Sequence, residues 1–288
     1  MKIFWLQDYN IFSFQGGAEM NDKEHFKEGI KRGHDLDLLN SQQTFTRPDL
    51  LIISNCTQFD NKRLADMCAQ TPHVFFMHDY IFCKHRLFFP MAEKCNTCVA
   101  RKYWLSLFST SKLIVYLSPL HKMIHEEYFP ELKDVKSVIV PSALVTKNFT
   151  DRKFVIRSPH YLSVHGLLGF KGRDNLIKYM KDHPYEEFHV VHPDKNDSGL
   201  PSNCKLLEPV RYESMPELYQ RYEYYIELPD TPQPFNRTVC EAKLSGCKVV
   251  TNGLMGAASF DWFSDRKLLI ENLDNATKLF WDSIERIY

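Results

Sequence analysis

The 288-residue chain lacks several things that would name a class at once. It has no excess of charge of either sign, because 36 Lys and Arg residues balance 36 Asp and Glu. That excludes a protein basic over its whole surface, yet leaves room for a local basic groove. No apolar run approaches the roughly 18 residues needed to span a bilayer. The opening MKIFWLQDYN turns polar too early for a secretory leader, so no signal peptide is expected. Glycine is scarce, at 11 residues, and G-x-G-x-x-G is missing, which disfavours a dinucleotide enzyme such as a nucleoside-diphosphate-sugar epimerase. Repeats, low-complexity tracts and long linkers are absent too. Hydrophobic residues make up 44% and charged residues 25%, a globular composition rather than a disordered one. Eight cysteines without a leader read as reduced thiols, and a cytoplasmic location is expected.

What is present is alternation. Apolar runs predict strands at 2–6, 35–39, 50–54, 73–77, 113–117 and 137–140, with helices at 19–32, 61–70, 99–108 and 119–128 between them. Runs such as LLIIS, HVFFM and LIVYL are apolar throughout, as in a parallel sheet covered on both faces. A more polar stretch follows Ser142. The alternation then restarts, with strands at 161–164, 188–191, 204–206, 224–228 and 248–251 and helices at 173–181, 215–222 and 237–245. The last stretch places Ala276, Leu279, Phe280, Ile284 and Ile287 at helical spacing. The length allows about two domains. The expected class is α/β, two Rossmann-like doubly wound domains facing a cleft, one over 1–145 and one over 146–274, with a closing helix over 275–288.

Four segments could carry chemistry. Gly16-Gly17-Ala18-Glu19 opens a helix after the first strand, where free N–H groups can meet an anion; a plain glycine turn reads the same way. Lys171 and Arg173 stand in a strand-to-helix loop of the second half, suited to a phosphate or simply solvated. Glu241 lies in a helix that ends at Gly246 before a buried strand, and a carboxylate there can hold ribose hydroxyls or be plain surface. His78, Asp79 and Tyr80 follow the strand at 73–77, at the end where functional side chains collect.

Together these segments resemble the family-four, GT-B-fold glycosyltransferases. Gly16-Gly17-Ala18-Glu19 with Gly33-His34 is similar to that family's "GGAE…GH" opening, Lys171-Gly172 to its donor-phosphate "KG", and Phe235 through Val250 to its nucleotide-sugar segment. The resemblance implies transfer of a sugar from a nucleotide-sugar donor, a UDP-sugar favoured, with retention and with no cofactor required. It implies that Gly16 and Gly17 approach the donor diphosphate, that His78 sits by the transferred sugar, that Lys171 neutralises the leaving group, and that Glu241 holds the ribose. Arg173, Gln233, Asn236, Arg237 and Thr238 complete the implied donor set. Three departures stand out. Gln233 replaces the first carboxylate of the family's Glu-x7-Glu pair, which opens a reading as an inactive nucleotide-sugar-binding module. Asn236 replaces a glycine, and Gly166 takes the place of an arginine for which His165, Arg173 or Arg237 could substitute.

Cys83, Cys95 and Cys98 are spaced as part of a zinc site and would brace a loop as a structural metal centre; free thiols or a disulfide fit the spacing equally. Around them, Lys84, Arg86 and Lys94 interleave with Tyr80, Phe82, Phe88 and Phe89. Asp79, Tyr80, Lys84 and Arg86 are therefore the acceptor-side candidates. The acceptor expected is a glycan or polysaccharide precursor. The alternative is hydroxymethylated DNA bases, met by a phage-type enzyme through this local patch.

Overall fold

The computed structural model describes residues 1–14, 16–44, 46–83, 99–152, 155–194 and 199–288. The chain divides into two compact units, Met1–Leu144 with Leu273–Tyr288, and Val145–Asn272.

The first unit is built on a six-stranded parallel sheet of β1 (Lys2–Leu6), β2 (Asp35–Leu39), β3 (Leu50–Ile53), β4 (His73–Phe76), β5 (Leu113–Tyr116) and β6 (Ser137–Ile139), in the order β2-β1-β3-β4-β5-β6. Every residue of β3, β4 and β5 is buried, which is why these strands carry no alternation. The crossovers run through α1 (Gly17–Lys31), α2 (Asn61–Gln70), α3 (Val99–Ser109) and α4 (Pro119–Tyr128). Local chemistry sets their starts. Asp60 accepts from the Arg63 amide at 2.9 Å, and Ser118 accepts from the His121 amide at 3.1 Å with Pro119 opening the first turn.

The second unit carries β7 (Ser158–Val164), α5 (Arg173–Asp182), β8 (Phe188–Val191), β9 (Cys204–Leu207), α6 (Met215–Gln220), β10 (Tyr222–Glu227), α7 (Arg237–Leu244), β11 (Lys248–Thr251) and α8 (Arg266–Asp274). Its parallel sheet runs β11-β10-β7-β8-β9, the strand order of a Rossmann half. Tyr161, Leu176, Met180, Phe188, Val190 and Ile226 form its core. The sequence reading places no helix at α8; there the Asp265 carboxylate caps the amides of Lys267 and Leu268 at 2.8 and 3.1 Å.

The chain ends in α9 (Ala276–Glu285), which packs on α1 within the first unit. Trp281 is fully buried, donates from its indole to the His25 carbonyl at 2.7 Å, and lies where a Cβ on Gly29 would come within 2.2 Å of its ring. The missing side chain at Gly29 is what admits it. Arg32 closes the contact through Asp282 and Glu285 at 2.9 and 3.0 Å, and His34 stacks on Trp281. Leu279, counted on the apolar face from spacing, instead faces outward at 40% exposure, and Trp281 takes the inward place. Among the described residues no helix is long and apolar enough to cross a membrane.

Candidate functional site

In each sheet the strand order reverses once, between β1 and β3 in the first and between β7 and β10 in the second. At such a point the loops leaving the C-terminal strand ends part and leave a crevice. Each unit places a polar cluster there.

In the first unit the cluster is formed by the buried face of α1 and by the ends of β3 and β4. His78, just beyond β4, meets the Asp22 carboxylate through Nε2 at 2.7 Å, with the two side chains 5% and 1% exposed. The other Asp22 oxygen accepts from the Ser54 hydroxyl at 2.5 Å. Asp22 therefore fixes the orientation of the ring through this hydrogen bond. Asn55 donates to Glu19 at 3.0 Å, and Asn21 accepts from the Ala143 amide at 2.7 Å. Gly16 and Gly17 open α1, and a Cβ on Gly16 would come within 2.1 Å of a Glu19 carboxylate oxygen. Glu19 thus itself places a carboxyl group at this helix N-terminus.

Beneath this cluster lie more histidines. His121 and His125 are fully buried, and burial pushes the pKa of His121 well down and that of His125 down to about 4. Tyr80 is 1% exposed and stacks on His125, placed in the core rather than at a surface. Asp79 is half-buried, and its carbonyl faces the His121 ring at 3.4 Å. Lys84, Arg86, Cys95 and Cys98 lie outside the described residues, and Cys83 is a half-buried free thiol.

In the second unit, Lys171 donates to the Gln233 side chain at 2.7 Å, joining the loop after β7 to the loop after β10. Glycine makes this meeting possible. Gly172 sits at φ +93°, and a Cβ there would lie 1.8 Å from the Leu228 carbonyl oxygen. Any other residue would lift the loop off the end of β10. Gln233 is pinned from the far side: its amide donates to the Leu254 carbonyl at 2.8 Å, and its carbonyl accepts from Gly256, where a Cβ would collide with the same backbone. Arg173 is the first residue of α5.

Asn236 caps α7 at φ +75°. The position demands a left-handed backbone, so asparagine, which tolerates it, stands where the resemblance calls for glycine. Its side chain, with Thr238 and Tyr225, surrounds the buried carboxylate of Glu227 at the end of β10. His165, at the end of β7, is exposed and also left-handed at φ +69°, the kind of backbone strain that gathers at working sites. Glu241 points inward instead: 2% exposed, its two oxygens accept from the hydroxyls of Tyr212 and Tyr219 at 3.0 and 3.3 Å, and Arg237 approaches at 3.9 Å. Burial holds its pKa above the ordinary carboxylate value despite these partners.

Gly16, Gly17 and His78 are thus gathered in one unit, and Lys171, Arg173, Gln233, Asn236, Arg237, Thr238 and Glu241 in the other. Sequence reasoning missed Glu227, Asp22 and Ser54. Glu227 follows directly on the YYI run of β10, and an acidic residue closing a buried strand is a usable signal; nothing local marks Asp22 or Ser54.

Solved structures share this fold along almost the whole chain. Sucrose-phosphate synthase from Thermosynechococcus elongatus superposes with a TM-score of 0.73 at 10% identity, over 99% of this chain and 98% of its own. The fold is GT-B. HepE from Anabaena, solved with UDP and glucose, matches this GT-B chain with a TM-score of 0.61 at 15% identity over 97% of this chain and 94% of its own. An alpha-glucosyltransferase solved with UDP and a 13-mer DNA containing an HMU base matches with a TM-score of 0.57 at 12% identity over 100% and 99%. No protein-family model matches the sequence, and no curated protein matches it. The GT-B fold is therefore recognised through shape, at 10–15% sequence identity to these neighbours.

Proposed function

We propose that the chain is a glycosyltransferase that moves a sugar from a nucleotide sugar, a UDP-sugar favoured, to a glycan or polysaccharide-precursor acceptor with retention. The observation that carries this reading is the Lys171–Gln233 pair, held by Gly172 and Gly256 at the switch point of the second sheet. Neighbours solved with UDP support the donor class. In this reading the bond from the anomeric carbon to the diphosphate oxygen breaks, and a bond to the acceptor oxygen forms on the same face. The acceptor proton leaves with the departing diphosphate. Lys171 meets the charge that develops on that diphosphate, with Arg173 and Arg237 beside it and the amides of Gly16 and Gly17 as further donors. Gln233 hydrogen-bonds the transferred sugar without adding charge, while Asn236 and Thr238 shape the donor loop. His78, oriented by Asp22, contacts the sugar. Glu241 reaches the ribose hydroxyls by exchanging its tyrosine partners. No metal is required, and Asp79, Lys84 and Arg86 belong to the acceptor side, with Tyr80 packed in the core.

The test is incubation of the full chain with UDP-, GDP- and ADP-sugars, following donor hydrolysis and the anomeric configuration of the product by NMR. Lys171→Ala should lower kcat by about 10²–10³-fold with the fold intact, the size expected on losing one charge-stabilising donor. Wild-type turnover in that variant would sink the site assignment. Nucleotide binding without turnover in the wild type would favour the inactive-module reading. A DNA acceptor is the second reading, favoured by the full-length match to the DNA-bound alpha-glucosyltransferase. Mass spectrometry of nucleosides from treated hydroxymethylated DNA decides it, and such binding should weaken steeply with salt.

A further inference from the structure

A second cluster lies in the other end of the nucleotide-side unit. His160 is near the start of β7, Glu187 immediately precedes β8, and His189 lies within β8. The register pairs Tyr161 with Phe188, so His160 stands beside Glu187, and His189, two residues on, projects to the same side of the sheet. All three therefore sit at the N-terminal ends of the strands, while Lys171, Gln233 and Glu227 gather at the C-terminal ends.

The donor atoms converge. His189 Nε2 is 2.6 Å from one Glu187 oxygen, and His160 Nε2 is 3.7 Å from the other. The candidate ligand atoms of all three residues lie within 4.8 Å of one another. Three donors each about 2 Å from one zinc ion are at most ~4 Å apart, so small side-chain rotations complete the set. The other nitrogen of His189 is already committed: Nδ1 meets the Tyr222 hydroxyl at 2.8 Å, which orients the ring and leaves Nε2 to face the cluster. Two of the ligands come from adjacent strands in the interior of the sheet, which hold position better than loops do. Lys205, paired in register with His189, is the opposing cation; its side chain is exposed and free to extend into solvent.

We infer that His160, Glu187 and His189 form a zinc site, a two-histidine, one-carboxylate set with an open position for water, separate from the donor residues and independent of the transferase reading. Bound zinc would tie β7 to β8. The cysteines at 83, 95 and 98 could take zinc on their own, so the test uses the full-length Cys83→Ser/Cys95→Ser/Cys98→Ser variant, stripped with chelator and titrated with zinc chloride by calorimetry near neutral pH. One equivalent should bind and raise the Tm. The double variant His160→Ala/His189→Ala should lose at least about 100-fold in affinity, and Tyr222→Phe should lose about 10-fold through the freed His189 ring. Glu187→Gln, at a half-exposed position, keeps the test available if the histidine variants misfold, and it should also weaken binding at least about 10-fold. Failure of the cysteine-free chain to bind zinc, or binding that is unchanged in the histidine and glutamate variants, would overturn the site.

Discussion

The two units differ in the buried ionisable groups whose pKa burial shifts. The first packs neutral histidines against its sheet: His73, His121 and His125 are all held below their usual pKa by burial. The second buries carboxylates, Glu227 and Glu241, each wrapped in hydroxyl donors, among them Tyr212, Tyr219, Tyr225 and Thr238. The carboxylate oxygens have hydroxyl donors, whereas the histidine cluster leaves His125 Nε2 buried without a hydrogen-bond partner among the described residues. Burial lowers the pKa values of these histidines and raises that of Glu241, so these groups should respond to pH with opposite signs.

The sharpest way to break the comparison is to remove one unit's core. Trp281→Ala should cost about 3–5 kcal/mol, as large-to-small changes at fully buried aromatics do. Hydrogen exchange should show the loss in the first unit, with the second retaining its protection. Equal loss in both would mean that the units do not unfold separately. Gly172→Ala acts on the other side. The left-handed backbone and the collision with the Leu228 carbonyl oxygen predict a loss of about 1–3 kcal/mol in the second unit. Nucleotide affinity should fall with it, read by thermal shift against a panel of nucleotides.

The pH effects are smaller and test the comparison directly. From the ordinary histidine value of 6.5 down to about 4, the unfolded chain takes up a proton that folded His125 refuses. The first unit should therefore lose stability as pH falls through that window, and His125→Gln should flatten the loss. Glu241 runs the other way. Its folded pKa is raised, so its contribution is fully present below the ordinary carboxylate range and is lost as pH rises through the folded value. Glu241→Gln should remove that dependence from the second unit. Chemical denaturation followed unit by unit across pH reads both, and the same sign in both units would refute the contrast.

Much of the fold was legible in short patterns. Apolar runs located the strands to within a few residues, because a strand covered on both faces has no room for polar alternation. Asp60 and Ser118 marked helix starts through chemistry that reaches only three residues along the chain. Lys171-Gly172 was legible as a loop, and Asn236 as a departure from glycine. The reason that departure is tolerated, a backbone at φ +75°, appeared only in three dimensions.

What the sequence by itself determined is the set of elements and the residue types at their ends, since these depend on neighbours a few positions away. The tertiary structure decided which of those residues meet. Lys171 and Gln233 are 62 residues apart, and His78 and Asp22 are 56 apart. Each pair depends on the point where its sheet reverses strand order, a property of the whole topology. Burial was decided at the same level: Glu241 and Tyr80 look like surface groups along the chain, yet the packing of α7 and of the histidine cluster draws both inside.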